Sequence, residues 1–146
     1  MTNAIGQPVA SSMPDCSGSD NKSVVPRLAV LIVNYRTAKL TIECIESVVR
    51  TANDMSNLRV EVVDNDSGDD SVDRLCEAVE KQRLSELVHV TALDRNYGFA
   101  GGNNRAFERC RDAQYVLLLN NDTVVHDNCL QHCLTVMDQD PAIGAI

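Results

Sequence analysis

The residues best suited to chemistry stand in short polar clusters and one glycine-rich run. The clusters are Asn34-Tyr35, Asp64-Asn65-Asp66-Ser67 and Asn120-Asn121-Asp122, and each directly follows an apolar stretch. The last cluster has the clearest chemistry. A hard divalent cation takes oxygen ligands, and Asp122 offers a carboxylate while Asn120 and Asn121 offer amide carbonyls. Capping of a following helix by Asp122 or Thr123 is the structural alternative. The run Asn96-Tyr-Gly-Phe-Ala-Gly-Gly-Asn-Asn104 carries Gly98, Gly101 and Gly102. Glycine permits positive φ and close backbone approach to a ligand. Gly101 and Gly102 stand where a helix is expected to start, and free N–H groups there favour a phosphate. A tight turn with close helix–sheet contact would use the same glycines.

Strands and helices must alternate to place these groups. Leu28–Val33 is a continuous apolar run, Leu58–Val63 and Val88–Leu93 are further strands, and Tyr115–Asn120 is the fourth. Runs of this kind suit strands buried on both faces of a parallel sheet. Helices are expected from Thr37 or a neighbour to Thr51, and from about Asp70 to Arg83. Two more run from about Gly102 to Arg111 and from about His126 to Gln139. Each of the first two carries an apolar stripe at helical spacing, such as Leu40, Cys44, Ile45 and Val48. Pro141 ends the last helix, and Ile143–Ile146 looks like the start of a fifth strand. The connections are too long for hairpins, so crossovers and a mainly parallel α/β sheet follow. In such a sheet the polar clusters share one edge, the edge where ligands bind.

At 146 residues there is room for one domain. Residues 1–25, rich in Ser, Asn, Asp, Gly and Pro without periodicity, are expected to be a disordered leader, with the ordered domain at 26–146. The leader lacks the basic start and apolar centre of a signal peptide. No apolar run is long enough to span a membrane. The formal charge of −8 argues against general affinity for nucleic acid. It also means that a diphosphate needs local help from a metal, helix N-termini or a few arginines. Five of the six cysteines fall in expected helices, which points to reduced, mostly buried thiols in a cytoplasmic protein. His126, Cys129, His132 and Cys133 lack the second pair that a zinc site needs, so packing is the reading for them. His89 is expected to face outward, and Asp127, Asp138 and Asp140 to be solvated. A dinucleotide fingerprint is set aside, because that motif follows the first strand and this glycine run follows the third.

Taken in order, Val33-Asn34-Tyr35, Val-Val-Asp64-Asn-Asp-Ser67, Asn96-Tyr-Gly-Phe-Ala-Gly-Gly-Asn-Asn104 and Leu-Leu-Asn120-Asn-Asp122-Thr resemble the family-two glycosyltransferases. The likeness is closest to the branch with rhamnosyltransferases and runs from about Arg27 to Ile146. It implies a GT-A fold, a dTDP- or UDP-sugar donor, a Mn²⁺ or Mg²⁺ ion, and a glycan or lipid-linked acceptor. By that likeness Asn34 and Tyr35 border the nucleoside, and Asp64 accepts a hydrogen bond from the pyrimidine imide. Asn96 and Gly98, Gly101 and Gly102 lie against the ribose and diphosphate. Asn120 borders the donor where the family often has a first aspartate, and Asp122 is the metal ligand. Transfer would invert the anomeric carbon. The general base comes, in this family, from the half of the domain after the metal motif, so it is expected beyond Ile146. A domain truncated at its C-terminus follows, with a non-catalytic nucleotide-binding module as the alternative function. Peripheral attachment to the inner face of a membrane is the expectation for the whole protein. Arg105, beside the twin asparagines, either assists the phosphates or sits on a solvated helix face.

Overall fold

The computed structural model describes residues 25–52, 55 and 57–146. The expected leader, residues 1–25, lies outside the described residues apart from Val25. The elements run β1 (Leu28–Asn34), α1 (Ala38–Thr51), β2 (Leu58–Asp64), α2 (Ser71–Lys81), β3 (Val88–Ala92), α3 (Gly98–Phe107), β4 (Tyr115–Leu119) and α4 (Cys129–Gln139). One sheet has the order β3-β2-β1-β4, and all of its pairings are parallel. The α/β architecture read from the sequence is therefore the one the chain adopts.

Alternation along β1 divides the core. Leu28, Val30 and Ile32 face α1, α2 and α4, meeting Ile45 and Val48, Leu75 and Val79, and Leu130 and Leu134. Ala29, Leu31 and Val63 face the other side, where Ala106 of α3 and Cys110 cover them. Burial of the valines, leucines and isoleucines among them, about 1.5–3 kcal/mol each, is what holds the helices to the sheet.

Several sequence expectations change here. α3 begins at Gly98, four residues before the expected start, so Gly101 and Gly102 lie in its second turn and not at its free N-terminus. A Cβ on Gly102 would come within 2.9 Å of Val33 Cγ1, so this glycine lets α3 sit directly on β1. The helix tolerates two poor helix formers because that contact outweighs their propensity cost of about 1 kcal/mol each. β4 is an edge strand and is covered on one face only. Val116 and Leu118 are exposed on the other, because α3 lies over β1 and β2. Ile143–Ile146 forms no strand; it lies by the start of β4 and lines a groove of about 490 Å³ with Leu117, Leu134 and Met137.

His89 is buried, not outward-facing, since its register partner across the sheet is Glu61 and both are closed over. Glu61 has no exposed side-chain surface and receives Arg59 Nε and Arg109 Nε, the latter at 3.2 Å. Asp138 is not simply solvated: it pairs with Arg27 and accepts the Tyr115 hydroxyl at 2.8 Å. Cys44, Cys110, Cys129 and Cys133 are free thiols. Cys76 is disulfide-bonded, contrary to the expectation of reduced cysteines. Among the described residues no helix is long and apolar enough to cross a membrane.

Candidate functional site

Parallel pairing puts the carboxyl ends of all four strands on one edge, and the polar clusters meet there. The register aligns Asn34 with Asp64, so the tips of β1 and β2 end level. The Asn65 amide donates to the Asn34 carbonyl at 2.8 Å, and the Leu93 amide to the Asp64 carbonyl at 2.8 Å. Backbone pairing thus continues past the side chains that matter.

Below the surface of this rim the side chains form one connected network. Asp64 is its centre. Its Oδ2 accepts from Asn34 Nδ2 and from the Ser67 hydroxyl, each at 2.6 Å, and its Oδ1 accepts from the Ser67 amide at 2.9 Å. Asn34 Oδ1 in turn accepts from the Thr41 hydroxyl at 2.7 Å. Asn121 Nδ2 donates to the hydroxyls of Thr37, at 2.6 Å, and Thr41, at 2.9 Å. β4, α1, β1 and β2 are therefore tied together through hydroxyls and amides. Asn34 and Asp64 are both buried, which a polar pair tolerates when its donors and acceptors are matched.

A second set of bonds fixes the start of α3. Asn65 Nδ2 donates to Asn96 Oδ1 at 3.0 Å and to the Gly98 carbonyl at 3.2 Å, while Asn65 Oδ1 accepts from the Tyr97 amide at 2.9 Å. Asn96 Oδ1 also accepts from the Gly98 amide at 2.8 Å. Gly98 has φ +70, a conformation in which a side chain would be strained. Arg95 and Arg105 both lie over the Tyr97 ring, at 4.7 and 4.8 Å from its centroid. Arg105 pairs with Glu108 at 3.3 Å on an exposed helix face, the second of its two expected settings.

The tip of β4 is a turn closed on one carbonyl. Asn120 O accepts from the Thr123 amide at 3.2 Å, from the Thr123 hydroxyl, and from Cys44 Sγ at 3.6 Å. Burial pushes the Cys44 thiol up to about 11, so it remains a donor. Asp122 stands exposed on this turn, and no hydrogen bond or ion pair among the described residues holds its carboxylate. It does not cap α4, whose N-cap position is Asn128.

The expected site residues thus separate into two groups. Asn34, Asp64 and Gly102 are buried in the fabric of the rim, with Gly101 half-buried against Tyr97, whereas Tyr35, Asn96, Gly98, Asn120 and Asp122 are exposed on it. Asn121 is committed to the α1 threonines. Sequence reasoning took Thr37 only as the opening of a helix and passed over Thr41, although their spacing of four at the start of α1 was a usable signal. It also passed over Ser67 as a partner of Asp64, and over Arg36. A divalent cation fits the donor set in kind: an exposed carboxylate at Asp122 and an exposed amide at Asn120, both hard oxygen ligands. Among the described residues no group of three His, Cys, Asp or Glu side chains stands together, so most of such an ion's ligands would be phosphate and water.

The family model for glycosyl transferase family 2 matches residues 29–146. No curated protein matches the chain by sequence. Among solved structures, the mannosyltransferase PcManGT from Pyrobaculum calidifontis, in complex with GDP-Man and Mn²⁺, aligns with a TM-score of 0.71 at 21% identity. That alignment covers 91% of this chain and 38% of that one. S. aureus TarS 1-349 aligns with a TM-score of 0.65 at 23% identity, covering 77% of this chain and 32% of that one. TarS 1-349 in complex with UDP-GlcNAc aligns equally well, at 24% identity over 77% of this chain and 31% of that one. The chain spans about a third of the length of these neighbours. They share its fold, the GT-A arrangement of a parallel sheet with flanking helices. By the match over residues 29–146, the chain belongs to glycosyl transferase family 2.

Proposed function

We propose that this chain binds the nucleotide-diphosphate sugar of a glycosyl transfer reaction across the carboxyl rim of its sheet. The carrying observation is the convergence there of three strand ends on one buried network, with the Asp122 carboxylate left open above it. Asp122 and Asn120 would hold a Mn²⁺ or Mg²⁺ ion, which when bound supplies Lewis-acid stabilisation of the diphosphate leaving group. The Asn120–Thr123 turn fixes where that carboxylate stands, and rigid support of this kind is what a metal ligand requires. Tyr35 borders the nucleoside. Asp64, 2% exposed and already accepting three donors, serves the nucleoside edge from beneath by holding Asn34 and Ser67 in place. Asn96, Gly98, Gly101 and Gly102 form the side of the site facing ribose and diphosphate, with Gly102 acting through its contact with β1.

In this reading the donor is a dTDP- or UDP-sugar, rhamnosyl transfer is the branch expectation, and the acceptor is a glycan or a lipid-linked sugar. Transfer is direct and inverting. The setting is cytoplasmic, at the inner face of a membrane in the whole protein. A second reading, a nucleotide-binding module without turnover, is favoured by the single open carboxylate at the β4 tip.

Calorimetric titration with UDP, dTDP and GDP, with and without Mn²⁺, tests the donor site. Metal-dependent binding of one nucleotide, lost in Asp122→Ala, is the expected result. A folded chain that binds none of the three would overturn the proposal, and sugar release from the matching donor separates the two readings.

A further inference from the structure

We propose that Arg36 is a phosphate-binding residue of the rim, an inference that rests on the nucleotide-sugar reading above. Arg36 follows the tip of β1, where its backbone φ is +57. A long side chain in the left-handed region costs energy, and such outliers persist where the surroundings hold them for use. Two bonds to one residue do the holding. The Arg36 amide donates to the Ser67 hydroxyl at 2.8 Å, and Arg36 Nε donates to the Ser67 carbonyl at 2.9 Å. Its Cζ lies 5.0 Å from the centroid of the Tyr35 ring.

One of the five guanidinium N–H groups is thereby used, and the other four make no hydrogen bond among the described residues. Asp69 senses the Arg36 charge but is held mainly by the Ser71 hydroxyl and amide, which keep its carboxyl below the usual range. Arg105 shows the contrast, being paired with Glu108 on its helix. Arg36 is a planar fork fixed at its root and open at its end. That shape takes a phosphate through two parallel bonds.

Charge makes the same demand. The protein carries −8, and Asp66, Asp69 and Asp122 are exposed around this edge. A nucleotide diphosphate adds more negative charge, and the β4 tip presents one carboxylate with which to recruit a cation. A fixed arginine beside the Asp64–Ser67 turn lowers the repulsion that remains.

The test titrates the wild-type chain, Arg36→Gln, Arg36→Lys and Arg36→Gly with the best-bound of UDP, dTDP and GDP, and with the matching nucleoside, in Mn²⁺ and in EDTA. Arg36→Gln should weaken nucleotide binding about tenfold in Mn²⁺, the scale of a lost charged bond, with nucleoside affinity within twofold of wild type and EDTA serving as the metal-free control. Lysine should recover part of the loss. Arg36→Gly relieves the strained φ, so its melting temperature should equal or exceed wild type while its nucleotide affinity falls as in glutamine. A merely structural arginine would lose stability and leave the nucleotide-to-nucleoside ratio alone. Unchanged nucleotide affinity in Arg36→Gln overturns the proposal, and equal losses for nucleotide and nucleoside also overturn it by placing Arg36 on the base. If wild type binds no nucleotide, the donor-site reading fails and takes this inference with it; if wild type binds and Arg36→Gln binds as well, only the inference fails.

Discussion

Replacing Asp64 by asparagine tests whether the rim is built around that carboxylate. The substitution keeps the shape and removes one acceptor and one charge. Asp64 receives three donors: Asn34 Nδ2 and Ser67 Oγ on one oxygen, the Ser67 amide on the other. An asparagine cannot accept all three. With its oxygen toward Asn34, its NH₂ meets the Ser67 N–H. With its NH₂ toward Asn34, two amide donors face each other while the Ser67 hydroxyl turns to accept. Either way one buried donor is left unmatched, and the bonds that survive lose their charge assistance. A hydrogen bond to a charged group contributes about 1.5–3 kcal/mol, and an orphaned buried donor costs about 1–3 kcal/mol. Asp64→Asn should therefore destabilise the chain by about 2–4 kcal/mol, since Asp64 is only 2% exposed and water cannot repair the loss.

Urea unfolding followed by circular dichroism measures this directly, with Ser67→Ala as the companion. Ser67→Ala removes one donor from the carboxylate and the hydroxyl acceptor of the Arg36 amide, so it should cost about 1–3 kcal/mol. The pair should be less than additive, because both changes break the same bond. An Asp64→Asn chain within about 0.5 kcal/mol of wild type would refute the network as a structural centre. Asp64 would then owe its place at the rim to ligand contact alone.

Gly102→Ala should cost about 1–3 kcal/mol by forcing its new Cβ against Val33 Cγ1 and Cγ2, 2.9 and 3.1 Å away. Gly98→Ala meets no atom within 4 Å, so its cost is conformational, about 1–2 kcal/mol, and both are read from unfolding midpoints. Burial pushes Cys110, like Cys44, up to about 11; at pH 8 both should resist a disulfide reagent until the chain unfolds, while exposed Cys129 reacts at once. Burial also raises the Glu61 carboxyl above its ordinary 4.5, outweighing Arg59 and Arg109. The folded form then holds its proton more tightly, so the stability of wild type relative to Glu61→Gln should fall as pH rises through and above 4.5. A rise over that interval in paired unfolding curves would mean that the two arginines win.

The sheet was legible because period and composition agree at each strand. Apolar runs such as Leu28–Val33 end abruptly in polar residues, and parallel pairing then sends those ends to one edge. The start of α3 was not legible. Gly-Phe-Ala-Gly-Gly has the composition of a loop, and tertiary contacts make a helix of it, the packing of Gly102 on Val33 and the Asn65 bonds at its start. His89 was misplaced for a related reason. A histidine between two valines looks like an outward residue, but its register partner Glu61 and the overlying Arg109 bury a polar cluster that no local pattern announces. The exposure of Val116 and Leu118 likewise depends on strand order, a property of the whole sheet.

The division of the rim into buried and exposed residues bears on how it would work. Asn34, Thr41, Asp64, Ser67 and Asn121 satisfy one another beneath the surface, so their positions are set before any ligand arrives. Tyr35, Arg36, Asn96 and Asp122 stand exposed above that floor, Arg36 held through its amide and Asn96 through its side-chain oxygen. A charged ligand that meets preset groups spares the energy of reorganising them, which is where a small, acidic domain can least yield it. Removing a floor residue should therefore reduce stability and affinity together, whereas removing Arg36 or Asp122 should reduce affinity alone. That separation follows from which atoms are already hydrogen-bonded, and it is the property that distinguishes a built site from polar residues gathered at a sheet edge by topology.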